Sequence, residues 1–201
     1  MSLPKRDSQN HTYSDYLIWS REHGDELIDG TAYVKEPPSP SEYHQLVAAE
    51  IYRQLANSLE ATDWVTFIAP LDVRLPKGSD RDEDIDTVVQ PDVLITGPAK
   101  TKDRRGPVGA PIWLAEVLSP STARYDRNIK IPVYERAGVQ EVWLVDFNAR
   151  SVAIYCLSGG QYGPPTVSRL QGRTQLTAVP VAPVDWDKVL ANLRRFDPEF
   201  P

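Results

Sequence analysis

Gln90-Pro-Asp-Val-Leu-Ile95, Ile112-Trp-Leu-Ala-Glu-Val-Leu118 and Asp126-Arg-Asn-Ile-Lys130 are three pieces of one stretch that runs on to Asp146. Each of the first two pieces sets one carboxylate among apolar residues of strand character. In the third an acid precedes a lysine by four positions. Strand alternation puts Glu116 on the same face as Ile112 and Leu114. An ionised group there is costly unless it is paired or bound to a cation. Asp92 follows a proline, as an aspartate that opens a strand often does, yet it stands beside a second apolar strand carrying Glu116. Lys130, Tyr134 and Ala137 recur at i, i+4 and i+7, so the lysine shares a helix face with residues expected to turn inward. Two carboxylates at strand ends and one ammonium are a minimum set for holding a hard divalent cation beside a phosphodiester. Carboxylate oxygens suit Mg²⁺, and the lysine can position or help deprotonate the attacking water.

Outward from this stretch the pattern reads as α/β. Thr87–Ile95 and Ile112–Leu118 are strands joined by a loop holding Lys100, Lys102, Arg104 and Arg105. A helix follows Ser121/Thr122 and ends at Gly138, a glycine suited to a left-handed cap. Pro132 falls inside it, so the helix is either kinked there or becomes regular later. Glu141–Asp146 and Val152–Leu157 are strands around a turn at Asn148–Ser151. Upstream, a short lead-in helix spans Ser14 to Arg21, and Glu26–Val34 forms a hairpin on Asp29-Gly30. Ser39-Pro-Ser-Glu42 reads as a capping box, with Ser39 as N-cap and Pro40 at the first helical position. The helix it opens, of about 20 residues, turns His44, Ala48, Ile51, Leu55 and Leu59 to one side. Val65–Ala69 and Leu71–Leu75 are strands interrupted by Pro70. Lys77–Asp86 lacks the glycine and terminal glutamate of an EF-hand loop and is expected to be solvated. Beyond Gly160 come a looser strand or two and a final helix near Asp185–Arg195.

At 201 residues the chain is sized for one domain. Its apolar runs are strand-sized, which argues against a membrane span, and the N-terminus has no apolar stretch that would make a secretory signal. The single cysteine, Cys156, excludes an intrachain disulfide and a thiolate metal site. It is expected in the core, and the location expected is cytoplasmic. A net charge of −6 is the wrong sign for tight nonspecific duplex binding; the basic loop around Lys100 and the group Arg124, Arg127 and Lys130 offset it locally. Three histidines, no P-loop and no His-Glu-x-x-His leave zinc-hydrolase and cysteine-nucleophile chemistry little to build on. Three further residues are candidates. His44 lies near the start of the first long helix, as a core histidine or a ligand. Glu26 stands in the hairpin, as a third carboxylate or a plain strand residue. Asp126 supports the helix at i,i+4 from Lys130 and can orient it.

Taken together, Glu26-Leu-Ile-Asp-Gly30, Ser41-x-x-His44, Val89-Gln-Pro-Asp-Val-Leu94, Glu116-Val-Leu-Ser-Pro-Ser-Thr122, Tyr125-Asp-Arg-x-x-Lys130 and Tyr134-x-x-x-Gly-Val-x-Glu-Val-Trp-Leu-Val-Asp146 resemble the Uma-type endonuclease family. That family is a bacterial branch, common in cyanobacteria, of the PD-(D/E)XK restriction-endonuclease-like superfamily. The resemblance covers about Tyr13 to Leu157. It implies a single domain over 1–201 with a restriction-endonuclease-like core, a mixed β-sheet flanked by helices. An N-terminal β-hairpin and helix, and a C-terminal strand and helix over 160–201, extend it. Asp92 takes the place of the motif's first acid and Glu116 that of the second. The motif's usual lysine would fall at 118, where Leu118 stands; in this branch it has moved to the following helix, which points to Lys130.

The implied activity is Mg²⁺- or Mn²⁺-dependent hydrolysis of phosphodiester bonds. Asp92, Glu116 and the Val117 carbonyl would hold the metal, and Lys130 would orient or activate water. His44 and Gln90 would stand behind them or touch phosphate, with Glu26 and Asp126 in support. The partner is nucleic acid, DNA ahead of RNA, and a homodimer is expected by analogy with nucleases that cut two strands. Two alternatives stand beside this reading. One is a nuclease-fold protein without turnover that acts in binding or regulation. The other is a hydrolase of a small phosphorylated substrate.

Overall fold

The computed structural model describes residues 5–7, 10–18, 25–33, 41–97 and 104–200. The chain begins with β1 (Lys5–Asp7), α1 (Tyr13–Tyr16) and the hairpin β2 (Glu26–Ile28) and β3 (Thr31–Tyr33). The long helix α2 (Glu42–Leu59) leads to β4 (Val65–Ile68), β5 (Val73–Arg74), β6 (Val88–Val89), β7 (Val93–Thr96) and β8 (Trp113–Val117). A three-part helix follows: α3 (Ala123–Tyr125), a π-helical turn (Asp126–Lys130) and α4 (Ile131–Ala137). Then come β9 (Glu141–Asp146), β10 (Ser151–Ser158), β11 (Gln161–Tyr162), β12 (Thr166–Arg169), β13 (Arg173–Gln175), β14 (Pro183–Asp185) and α5 (Trp186–Phe196).

Seven strands form the main sheet in the order β11-β10-β9-β8-β7-β4, with β12 also on β10. All its neighbours are antiparallel except β8 and β9. That parallel pair requires a crossover, which the three-part helix supplies. A smaller sheet, β1-β3-β2-β6-β5, packs beside it, and β13 pairs with β14.

Alternation along β8 sorts its side chains between two cores. Trp113, Ala115 and Val117 join α2 and α5 in the first core, where Trp113, Trp143 and Trp186 meet at centroid distances of 5.4 and 5.8 Å. Leu114 and Leu118 join Ile131, Val133 and Tyr134 of α4 in the second. Glu116 is in phase with this second set.

Several expectations shift. The expected strand Thr87–Ile95 is two strands in different sheets, because Gln90-Pro91-Asp92 breaks the run and Pro91 offers no ladder donor. The N-cap of α2 is Ser41, whose hydroxyl accepts from the His44 amide at 3.3 Å, so helix starts at Glu42; Ser39 and Pro40 lie outside the described residues. The lead-in helix is a single turn, and its expected end at Arg21 also lies outside them. Asp29 and Gly30 have φ of 49° and 71°, as the expected two-residue turn demands.

Pro132 falls at the second residue of α4, so the regular part of the helix begins late, at Ile131. The π turn ends two residues before Pro132 and widens the backbone where the proline ring would crowd the carbonyl four residues back. The helix then ends at Gly138, φ 84°, as expected. The acidic loop is not merely solvated: Arg105 bonds Asp82 at 2.5 Å, Lys77 bonds Asp86 at 2.6 Å, and Ile85 is buried. Cys156 is exposed, not in the core. It shares a strand face with buried Val152 and half-buried Ile154 but lies nearer the end of β10. The tail is more than a loose extension, since Trp186, Val189 and Leu193 of α5 belong to the first core. No helix among the described residues is long and apolar enough to cross a membrane.

Candidate active site

The site grows out of one register. Val93 pairs with Ala115 and Leu94 with Leu114, so Asp92 and Glu116 come next on the two antiparallel strands and stand opposite each other. Directly opposed residues point to the same face with Cβ atoms about 5 Å apart. The amide of Val117 donates to Asp92 Oδ2 at 2.7 Å, which fixes that carboxylate against the end of β8. From α2, His44 Nε2 donates to the same oxygen at 3.1 Å. Ser41 starts α2 one turn earlier, so the cap determines where His44 arrives.

On the other side of Glu116 stands Lys130. Its Nζ lies 2.6 Å from Glu116 Oε1 and 3.0 Å from Glu26 Oε1, and it is only 1% exposed. Tyr134, one turn further along, donates its hydroxyl to the same Glu116 oxygen. The i, i+4 face read from the sequence is therefore the face that meets β8. Glu26, from β2, also accepts from the Gln90 amide at 2.8 Å. The Gln90 side chain turns away to Asp72 Oδ1 at 2.9 Å, an oxygen that also accepts from Tyr16 at 3.0 Å. Asp126 is buried at the start of the π turn.

The electrostatics follow from burial of unlike numbers of charges. Desolvation pushes Glu116 up to about 8, against the pull of Lys130 and with help from Asp126, Asp92 and Glu26. Asp126 is pushed up to about 6, again first by burial. Burial works to lower Lys130, but Glu116, Glu26 and Asp126 together hold it well above its ordinary value. One ammonium faces three buried carboxylates, with Asp92 close by. The cluster has room for more positive charge.

Every candidate named from the sequence except Gln90's side chain converges here: Asp92, Glu116, Lys130, Val117, His44, Glu26 and Asp126. Of the two basic groups, only Lys130 reaches the site among the described residues. Arg105 is held by Asp82, Arg127 lies 3.6 Å from Asp146, and Lys100 and Lys102 are outside the described residues. Sequence reasoning placed Tyr134 inward without giving it a task; its four-residue spacing from Lys130 was the available signal. Tyr16 and Asp72, which anchor Gln90, were missed. Asp72 lies 18 positions from Gln90 and 56 from Tyr16, so no local spacing links the three.

Chemically, the donors available to a metal are carboxylate and carbonyl oxygens, the set that Mg²⁺ and Mn²⁺ prefer. Among the described residues, no group of three or more His, Cys, Asp or Glu gathers as a ready cage. Mg²⁺ commonly uses one or two carboxylates and keeps water and substrate phosphate as its other ligands. Asp92 and Glu116 fit that mode.

The family described as "Putative restriction endonuclease", Uma2, matches residues 13–192. The crystal structure of a "putative nuclease belonging to DUF820" from Anabaena variabilis ATCC 29413 is similar over 91% of this chain and 99% of that one. Its TM-score is 0.71 at 18% sequence identity, a likeness of fold, and the fold is the restriction-endonuclease-like one. No curated protein matches the chain.

Proposed function

From membership of the Uma2 family, to which the chain belongs, we propose that it is a metal-dependent nuclease that hydrolyses phosphodiester bonds of nucleic acid, DNA ahead of RNA. The observation that carries this reading is the opposition of Asp92 and Glu116 across β7 and β8 with Lys130 on Glu116. Asp92, Glu116 and the Val117 carbonyl would hold Mg²⁺ or Mn²⁺. When bound, the metal would polarise the phosphoryl group and lower the pKa of a bound water.

The protein's own residues prepare that chemistry. The His44 and Val117 N–H groups aim the Asp92 carboxylate and satisfy one of its oxygens. Tyr134 and Lys130 do the same for one oxygen of Glu116, leaving the other for a further partner. Lys130 stands where its ammonium can hold an attacking water or relieve charge on the phosphate, once Glu116 turns part of its charge elsewhere.

The test is cleavage of plasmid, single-stranded DNA and RNA in Mg²⁺ and in Mn²⁺, comparing wild type with Asp92→Asn, Glu116→Gln and Lys130→Ala. The expected result is metal-dependent cleavage that falls by about a thousandfold or more in the folded variants. Cleavage that survives Asp92→Asn would place the chemistry elsewhere.

A second reading, a nuclease fold that binds without turnover, is favoured by one observation. Lys130 is doubly ion-paired and shut from solvent, as a structural lysine would be. Pure protein that binds Mn²⁺ and nucleic acid but cuts neither DNA nor RNA would establish it.

A further inference from the structure

The sheet end that carries Asp92 and Glu116 also carries a basic cleft. Because β8 and β9 are parallel, Val117 pairs with Val145 and the turn after β9 leaves at this same end. β10 starts back from it, with Ser151 opposite Asp146 on one side and opposite Arg169 on the other. Arg150 closes the turn in left-handed backbone, φ 50°, and its carbonyl accepts from the Leu170 amide at 2.9 Å. Arg150 and Arg169, with Arg194 from α5, line a cleft of about 670 Å³ that also includes Gln171, Leu190 and Asp187.

These arginines differ from most others in the molecule. Arg53 is paired with Glu50, Arg105 with Asp82 and Arg136 with Asp29. Arg150, Arg169 and Arg194 have no ion-pair partner among the described residues, although the protein carries a net charge of −6. Arg150 Nη2 is buried and has no hydrogen-bond partner among the described residues. Asp187 is the one acid in the lining, and its Oδ1 already accepts from the Gly172 amide at 3.3 Å. Three like charges around a concave surface repel one another unless an anion enters.

The cleft is joined to the candidate active site. Tyr43, the neighbour of His44, stacks on Phe147 at 6.2 Å and lies 5.5 Å from Phe200. The Arg150 guanidinium lies 5.6 Å from the same Phe200 ring. Three strand spacings separate β8 from β12, about 14 Å at roughly 4.8 Å each.

Resting on the nuclease reading above, we propose that this cleft grips a backbone phosphate of the nucleic acid whose scissile phosphate lies at Asp92 and Glu116. Along a duplex axis, at a rise of about 3.4 Å per nucleotide, about 14 Å corresponds to about four nucleotides. Guanidinium forks suit a phosphate's paired oxygens better than ammonium does. The cleft gives an acidic protein a local footprint for a polyanion and sets a minimum substrate length.

The test uses Arg169→Gln/Arg194→Gln, a double variant of two exposed residues, so folding is preserved while Arg150 stays. Binding of fluorescent oligonucleotides of about 20 and about 4 nucleotides, above and below the span given by that rise, is followed over a salt series in Ca²⁺. For the longer one, taken as a duplex, affinity falls about tenfold in the variant and the salt slope becomes shallower by up to about 0.9, the value for one phosphate contact. The shorter one binds weakly and equally to both proteins. Unchanged affinity and slope, or a wild type that binds no oligonucleotide, overturns the proposal. So does inorganic phosphate or a mononucleotide that competes as tightly as the long oligonucleotide, since the cleft would then serve a free phosphate. A wild type that shows the arginine-dependent slope yet cuts nothing sinks the nuclease reading and leaves the phosphate cleft standing.

Discussion

The two sides of the main sheet solve burial in opposite ways. Toward α2 and α5 the strands present Trp113, Ala115, Val117, Trp143 and Val145, and this side is dry by comparison: its buried Glu141 is paired with no cation among the described residues and accepts from the Trp143 indole and the Ala178 amide, each at 2.7 Å. Toward α4 and the small sheet, the same strands present Leu114, Glu116 and Leu144, and a lysine and three carboxylates are buried among them. The dry side holds together by area and shape, where each lost methylene costs a modest, predictable amount. The charged side holds together by mutual satisfaction, where removing one member strands the rest. A sheet can therefore be built for stability on one face and for chemistry on the other, with the division made residue by residue along β8.

The largest expected effect is on the charged side. Lys130→Met should cost about 3–5 kcal/mol in denaturant unfolding, because Glu26 and Glu116 lose the ammonium that both of them pair with. Adding Glu116→Gln should return part of that loss. The cost should also grow as pH rises past about 8. Burial already raises Glu116 to about 8 in the native protein, and loss of Lys130 raises it further. A carboxyl raised on folding contributes stability below its unfolded value, near 4.5, and that contribution is lost as pH climbs toward its folded one. A pH-independent cost would break the contrast between the two sides.

Leu193→Ala, on the dry side, should cost about 3 kcal/mol with little pH dependence between pH 5 and 8 and no loss of Mn²⁺ binding. Tyr134→Phe keeps the ring and removes one donor to Glu116. It should cost about 2 kcal/mol, and it should lower activity more than stability if that donor aims the carboxylate. Ser41→Ala is the finest probe. Loss of the cap should cost about 1 kcal/mol, and a disproportionate drop in activity would show that α2's start sets the position of His44.

Much of this division was legible in the sequence. Glu116 in phase with Ile112 and Leu114 marked a carboxylate on an inward face, and the spacing from Lys130 to Tyr134 marked the helix face that meets it. The resemblance supplied the idea that the motif's lysine had moved. Less legible was what depends on distant partners. Gln90-Pro91-Asp92 looked like the middle of one strand, because nothing local says that two sheets share the run. Asp72 meets Tyr16 and Gln90, and Arg74 donates to the Gly106 carbonyl at 2.6 Å, partners that lie far along the chain and that no local pattern announces. The basic loop near Arg105 offset the acidic charge in the sequence, but its Arg105 is taken by Asp82, while the arginines that line the cleft are scattered over 150, 169 and 194 and converge only in three dimensions. Helix periodicity could flag Pro132 as a problem but could not say that a π turn would absorb it.

That turn has a consequence for how the chain tolerates insertions and deletions. A π turn is one residue more than an α-helix would use over the same axial length. Each residue in an α-helix advances the chain by about 100° around the axis. Shortening 126–130 by one would let the helix close into regular form and keep every apolar residue. It would also turn Asp126 and Tyr125 by about 100° relative to Lys130. Either the front of the helix or the lysine would then face away from Glu116. The surplus residue works as an angular spacer, and among homologous chains the length of this segment should vary less than its composition.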